Sequence, residues 1–117
     1  MKIRSLERAE PFTTADGSTI RELVESAAAG NQSLAEASLG PGRATERHYH
    51  GESEEIYYLV DGAGELEVDG ERAHVGAGDA ILIPPGAWHQ IRADESGPLR
   101  FLCCCAPPYP HEDTYFS

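Results

Sequence analysis

Three histidines and one glutamate stand at spacings that let them converge on a single point. His48 and His50 are separated by one residue, so on a strand both imidazoles leave the same face, while Tyr49 between them leaves the other. Glu55 follows across a turn containing Gly51, where the chain can return on a neighbouring strand and bring a carboxylate to that face. A third imidazole, His89, comes just after the stiff Pro84-Pro85-Gly86 segment. Imidazoles with one carboxylate suit borderline divalent ions (iron, manganese, nickel, copper or zinc) far better than calcium. The chemistry expected is therefore that of one divalent transition metal ion per chain. Isolated histidines are more often structural or solvated, and His74 and His111, outside this pattern, read as surface residues.

The elements that must position these residues are strands. Period-two alternation and turn residues dominate, and no stretch carries apolar residues at helical spacing over three or more turns. The spacing predicts strands at Ser18–Glu25, Ser33–Leu39, Thr45–His50, Glu54–Val60, Gly64–Val68, Arg72–Val75, Ala80–Ile83, Ala87–Arg92 and Leu99–Cys105. Between them lie turn-forming pairs such as Asp16-Gly17, Pro41-Gly42, Asp61-Gly62, Gly78-Asp79 and Gly97-Pro98; Asp69-Gly70 is the strongest two-residue hairpin signal. Many short strands at this spacing point to an all-β sandwich or barrel, and a closed barrel or jelly roll removes most exposed edges. The segment APPYPHEDTYFS from Ala106 onward differs in character, since its prolines cannot continue a central strand.

With these residues in view, the chain resembles the cupin superfamily. The first cupin motif, G(X)5HXH(X)3,4E(X)6G, runs through Gly42, His48, His50, Glu55 and Gly62. The second, G(X)5PXG(X)2H(X)3N, runs through Gly78, Pro84, Gly86 and His89, with Ala93 where the family usually has Asn. That Asn is not a metal ligand in the family. The resemblance implies a single-domain cupin β-barrel (double-stranded β-helix, or jelly roll) over residues 1–117, with the motif-bearing barrel at about 33–106, N-terminal strands in 1–32 and a Pro-rich tail at 107–117. It also implies metal ligation by His48, His50, Glu55 and His89. The short gap between Gly62 and Gly78 resembles compact microbial cupins. Glu54 competes for the carboxylate role, but Glu55 alone satisfies the six-residue gap to Gly62, so Glu54 is assigned outward.

Strand parity then sorts the neighbours. With Glu55 inward, Tyr57 and Leu59 share its face, and Tyr57 is the candidate for a catalytic phenol near the ion, core packing being an equal alternative. Arg100 is costly to bury unpaired and should face outward, which turns Phe101, Cys103 and Cys105 inward to line the cavity, with Cys104 outward. Adjacent cysteines do not readily bridge, so no disulfide is expected among Cys103, Cys104 and Cys105. Trp88 and Tyr49 should pack outside the barrel or at a subunit contact. The parity of Glu36 is open at this level.

Composition narrows the partners. Asp and Glu outnumber Lys and Arg by 20 to 9 in 117 residues, a formal charge of −11, which repels a nucleic-acid backbone or an anionic membrane. There is no apolar run near the roughly 18 residues of a membrane span and no apolar secretory core near the N-terminus. A cytoplasmic protein with reduced thiols and a small-molecule substrate or ligand is expected. A metal with positions left open beyond its protein ligands supports chemistry. The preferred reading is a dioxygenase-like oxidoreductase. An isomerase, epimerase or lyase acting on a sugar or carbonyl compound is the alternative, and a non-catalytic small-molecule binder the third. A homodimer is expected, with Ser18–Glu25 as the edge strand available for subunit pairing and the tail from Pro107 to Ser117 over the outside of the barrel or across that contact.

Overall fold

The computed structural model describes residues 1–25, 30–109 and 111–117, the side chain of His111 excepted. Its strands are β1 (Phe12–Thr13), β2 (Thr19–Val24), β3 (Ser33–Leu39), β4 (His48–His50), β5 (Glu54–Asp61), β6 (Ala63–Val68), β7 (Glu71–Gly76), β8 (Ala80–Ile83), β9 (His89–Ala93), β10 (Leu99–Ala106) and β11 (Thr114–Phe116). Short 3₁₀ turns occupy Leu6–Arg8 and His111–Asp113. No helix among the described residues is long and apolar enough to cross a membrane.

The strands form two antiparallel sheets, six-stranded in the order β1-β2-β3-β10-β5-β8 and five-stranded in the order β11-β4-β9-β6-β7. Their inner faces share one core. Alternation along β5 puts Glu55, Tyr57 and Leu59 inside and Glu54, Ile56 and Tyr58 outside. β10 runs antiparallel to β5 with Phe101 opposite Leu59, Cys103 opposite Tyr57 and Cys105 opposite Glu55, so the inward residues of the two strands form matched rows. Leu59, Leu99, Phe101 and Ile83 from the larger sheet meet Ile91 and Leu66 from the smaller. Burying each such side chain contributes about 1.5–3 kcal/mol.

Most of the expected strands are present with ends moved by a residue or two. β4 is shorter than expected because the backbone of residues 44–47 makes no continuous ladder with the sheet, meeting it at the Ala44 and Arg92 bridge and at the Thr45 amide bonded to the Ile91 carbonyl at 3.0 Å. β9 starts at His89 because the Ala87 amide closes a turn onto the Pro84 carbonyl at 3.2 Å. Two strands were not expected. β1 pairs Phe12 with Ile20 and Thr13 with Thr19, so the outer edge of β2 is covered at those two residues. The tail, expected outside the barrel or across a subunit contact, instead adds β11 to the edge of β4, with Thr114 opposite His50 and Phe116 opposite His48. The unpaired backbone of β4 explains this, because three strand-forming residues supply its missing hydrogen bonds.

Glu36 faces the outer side of the larger sheet, buried to 7% exposure beneath Arg100, whose Nη1 donates to it at 3.2 Å. It therefore belongs to the surface of that sheet and not to the cavity. Arg100 is exposed on that outer side, and the register shifts between it and Phe101. Asp79 serves its turn by accepting the Gly76 amide at 2.8 Å.

Gly62, the last residue of the first motif, links β5 to β6 at φ +88°, and a Cβ there would run into the carbonyl of Pro98. Both the left-handed backbone and the close approach require glycine. Gly62→Ala is expected to lower unfolding free energy by at least about 1–2 kcal/mol, read as a drop in urea midpoint at unchanged slope. An unchanged midpoint would show that the loop relaxes freely.

Candidate metal centre

β4 delivers His48 and His50 to the interior, β5 delivers Glu55 and β9 delivers His89, with His48 directly opposite His89 across the β4 and β9 pair. The Gly86 amide donates to the His50 carbonyl at 2.7 Å, so the turn at φ +80° before His89 is tied to the strand carrying the other two imidazoles. All four side chains are buried, at 0–3% exposure, and one potential ligand atom from each lies within 4.8 Å of the others.

The outer ring nitrogens are engaged. His48 Nδ1 lies 2.7 Å from the Glu46 carbonyl, His89 Nδ1 2.9 Å from the Ala87 carbonyl and His50 Nδ1 3.0 Å from Thr114 Oγ1. A carbonyl can only accept, so His48 and His89 carry their proton on Nδ1 and turn the Nε2 lone pair inward when neutral. This is the tautomer a metal-binding imidazole needs. Glu55 is fixed from the other side, its Oε2 accepting a hydrogen bond from the Cys105 thiol at 3.3 Å.

What remains points at the centre. His50 Nε2, His89 Nε2 and Glu55 Oε1 are buried with no hydrogen-bond partner. Glu55 Oε1 is 3.5 Å from His50 Nε2 and 3.2 Å from His89 Nε2, so the three atoms crowd one point with no hydrogen bond among them. A buried polar atom left unpaired costs about 1–3 kcal/mol, and one divalent cation would satisfy all three at once. Nitrogen and oxygen donors of this kind fit iron, manganese, nickel, copper or zinc, so the four residues could hold such an ion.

Electrostatics fit the same picture. Burial pushes the Glu55 pKa up, but contact with His50 and His89 outweighs it and holds the carboxyl well below its usual range. Burial likewise pulls His89 down, yet the Glu55 carboxylate outweighs it and carries the imidazole above 6.5. His48 is lowered, by burial and then by His89. Burial first, and the Glu55 charge second, raise Tyr57, Cys103 and Cys105 above their ordinary values. Tyr57 is thus a neutral phenol and the two cysteines are protonated thiols. A protonated thiol is a poor ligand for a cation; all three cysteines are free.

A cavity opens from Glu55 along Tyr57, Phe101, Cys103 and Cys105. The Tyr57 ring stands 4.7 Å from Phe101 and 6.0 Å from His89 between centroids. Outside the barrel, Tyr49 meets Trp88 at 4.7 Å and stacks on Tyr115 at 4.9 Å. Arg47 lies 4.9 Å over the Trp88 ring and grips Glu67 at 2.8 and 3.2 Å, bracing β4 against β6 from behind. His74 is a surface residue bonded to Asp94 at 3.0 Å, and the side chain of His111 lies outside the described residues.

Sequence reasoning missed three contributors. Thr114 bonds His50, Tyr109 sets its ring 5.4 Å from His50, and Asp16, read as turn chemistry, lines the cavity. The β-forming run after the prolines was a signal for β11, but nothing local said which edge it would join.

Two antiparallel sheets closed over an inward cluster of three imidazoles and a carboxylate define a small barrel with a metal-capable centre. The model of the cupin domain matches residues 35–105, more than half of the chain, and the protein belongs to the cupin family. An uncharacterised protein of Methanocaldococcus jannaschii is 46% identical to it, over 97% of this chain and 94% of that one. Gentisate 1,2 dioxygenase 1 of Aquipseudomonas alcaligenes is 38% identical over 53% of this chain but only 18% of its own length. Among solved structures, the polyketide cyclase RemF from Streptomyces resistomycificus superposes with a TM-score of 0.80 at 27% identity, over 97% of this chain and 89% of that one.

Metal binding should depend on pH with a definite sign. Because the His89 pKa is raised, protons compete with a metal ion for the site already above pH 6.5, and affinity should fall about tenfold per pH unit once that imidazole is protonated. Titration calorimetry between pH 8 and 5 reads this directly; a flat profile would contradict imidazole ligation. Thr114→Val, which removes the hydroxyl at His50 Nδ1, should weaken binding by roughly 10–100-fold, and His50→Ala should abolish stoichiometric metal. Full metal content in His50→Ala would contradict the assignment.

Proposed function

We propose that this cupin is a metal-dependent oxidoreductase, dioxygenase-like, that acts on a small molecule entering the barrel cavity. The observation that carries the reading is the set of three buried, unpartnered atoms on His50, His89 and Glu55, the last of which also lines an apolar cavity. The ligands are His48, His50, Glu55 and His89, holding one divalent transition metal ion per chain. A redox-active ion there supplies the electron transfer that reaction with dioxygen requires, and any such ion supplies Lewis acidity.

The chain's own residues do the remaining work. The thiol of Cys105 holds Glu55 Oε2 and so fixes which carboxylate oxygen faces the centre. Tyr57 keeps its proton at Oη and can donate it to an oxygen of the substrate. Phe101 and Cys103 present apolar surface that keeps water from a bound molecule. A histidine-rich centre in such surroundings suits a redox metal, and the gentisate dioxygenase likeness supports the same class. The likeness to RemF, spanning nearly the whole chain, favours a second reading in which the ion activates a carbonyl without oxygen, as a cyclase, isomerase or lyase would use it. The three free thiols support a reducing, cytoplasmic setting.

Metal analysis followed by oxygen-electrode assays against diketones, catechols, thiols and sugar phosphates separates these readings. Substrate-dependent oxygen uptake with a redox-active metal is the expected result, with Tyr57→Phe lowering kcat by about 10²–10⁴-fold if its proton is used. Turnover without oxygen would move the assignment to the second reading, and binding without turnover to a non-catalytic role.

The expected homodimer would use the outer face of the larger sheet. Ile56, Tyr58 and Leu82 are 42%, 45% and 57% exposed there. Ile56 has Leu82 and Cys104 as cross-strand neighbours. Arg100 and Glu36 neutralise each other on the same face, which lets two copies of an acidic chain approach. Light scattering should give twice the chain mass at micromolar concentration, and Tyr58→Glu should shift it to the monomer; a monomeric wild type would contradict this.

A further inference from the structure

We propose that the molecule taken by this cavity is uncharged and largely apolar beyond the end that meets the ion, and that carboxylate or phosphate groups away from that end are rejected. The inference rests on the reading of the four residues as a metal centre and adds the class of substrate to it.

The cavity extends from Glu55 along β10 and β3 to the exposed Phe12 and Val24 of β1 and β2. Its wall is apolar for most of the way, through Phe101, Ile20, Ala37 and Phe12. Among the described residues that line it there is no Lys, Arg or His, while Asp16, Glu22 and Glu25 add three carboxylates to Glu55. Asp16 is itself buried, at 8% exposure, and its Oδ1 accepts from the amide and hydroxyl of Ser18 at 2.9 and 2.6 Å. Those bonds fix the carboxylate in the wall and leave its charge in place. Glu25 has Arg4 as a partner, Nη2 standing 3.9 Å from Oε1 with both side chains about half exposed; a pair so open is screened by water and pulls little on a ligand inside.

An anionic group on the body of a ligand would lose its hydration here and gain only like charges in exchange. Recognition of carboxylate or phosphate ordinarily uses a paired Arg or a helix N-terminus, and the described lining offers neither. The positive charge of an ion at the centre is spent on the coordinating end, beside Glu55. Glu55, which lines the cavity and whose Oε1 is unpartnered beside His50 Nε2 and His89 Nε2, marks where that end arrives.

The test uses the full chain loaded with zinc, which binds without turnover, and two probes that share one chelating end. Catechol and 3,4-dihydroxybenzoate differ by a single remote carboxylate, and calorimetry under argon gives both affinities. Catechol is expected to bind at least tenfold more tightly, and the double variant Glu22→Lys with Glu25→Gln should shift the ratio toward 3,4-dihydroxybenzoate by about tenfold. Equal or tighter binding of 3,4-dihydroxybenzoate to the wild type would overturn the proposal while leaving the metal centre standing, as would a ratio indifferent to the double variant. A chain that takes up no zinc at all would overturn the metal reading, and the substrate class with it.

Discussion

A carboxylate held almost wholly out of water sets the terms for the rest of this molecule. Glu55 has 3% exposure, and an isolated buried carboxylate would ordinarily take up a proton. Its charge survives because two imidazoles stand within 3.5 Å of one oxygen and a thiol donates to the other. The same contacts leave one oxygen and two ring nitrogens without hydrogen bonds. Charge and vacancy of partners together make a site whose most economical completion is a cation.

Holding that arrangement constrains every strand around it. β4 must present two imidazoles on one face, which fixes Tyr49 outward and supplies the reason for the aromatic and Arg47 clamp behind it. β5 must turn Glu55 inward, which commits Tyr57 and Leu59 to the core and Ile56 and Tyr58 to the surface. β10 carries the matching pattern by register, so Cys105 arrives beside the carboxylate as a neutral hydrogen-bond donor and Cys103 beside Tyr57. The glycines of the two motifs serve the corners: Gly62 where β5 crosses to the other sheet, Gly86 where the turn before His89 is bonded to the strand of His50.

Much of this is legible in the sequence, because the ligands signal through local spacing and the strands through alternation. The inward set of β5 followed from parity once the motif gap to Gly62 chose Glu55, and that of β10 from parity given that Arg100 must face water. What was not legible depends on distant pairing. Thr114 and Tyr109 reach His50 only because a three-residue strand finds the open edge of β4, and no property of residues 107–117 names that edge. Asp16 shows the same limit in another form: an Asp-Gly pair reads as a turn, and it is one, but its carboxylate also lies in the cavity wall because β2 packs across the mouth. The parity of Glu36 was undecided in the sequence because its strand alternates between small and long side chains, and Arg100 on the adjacent strand settles it.

The role of this centre depends on whether one ion sits among these four side chains. X-ray absorption at the edge of the bound metal tests it most directly, since the scattering separates imidazole nitrogen, carboxylate oxygen and thiolate sulfur. Three imidazoles with oxygen donors and no sulfur, at one ion per chain, are the predicted shell. Sulfur in the shell, fewer imidazoles, or no stoichiometric metal would contradict it.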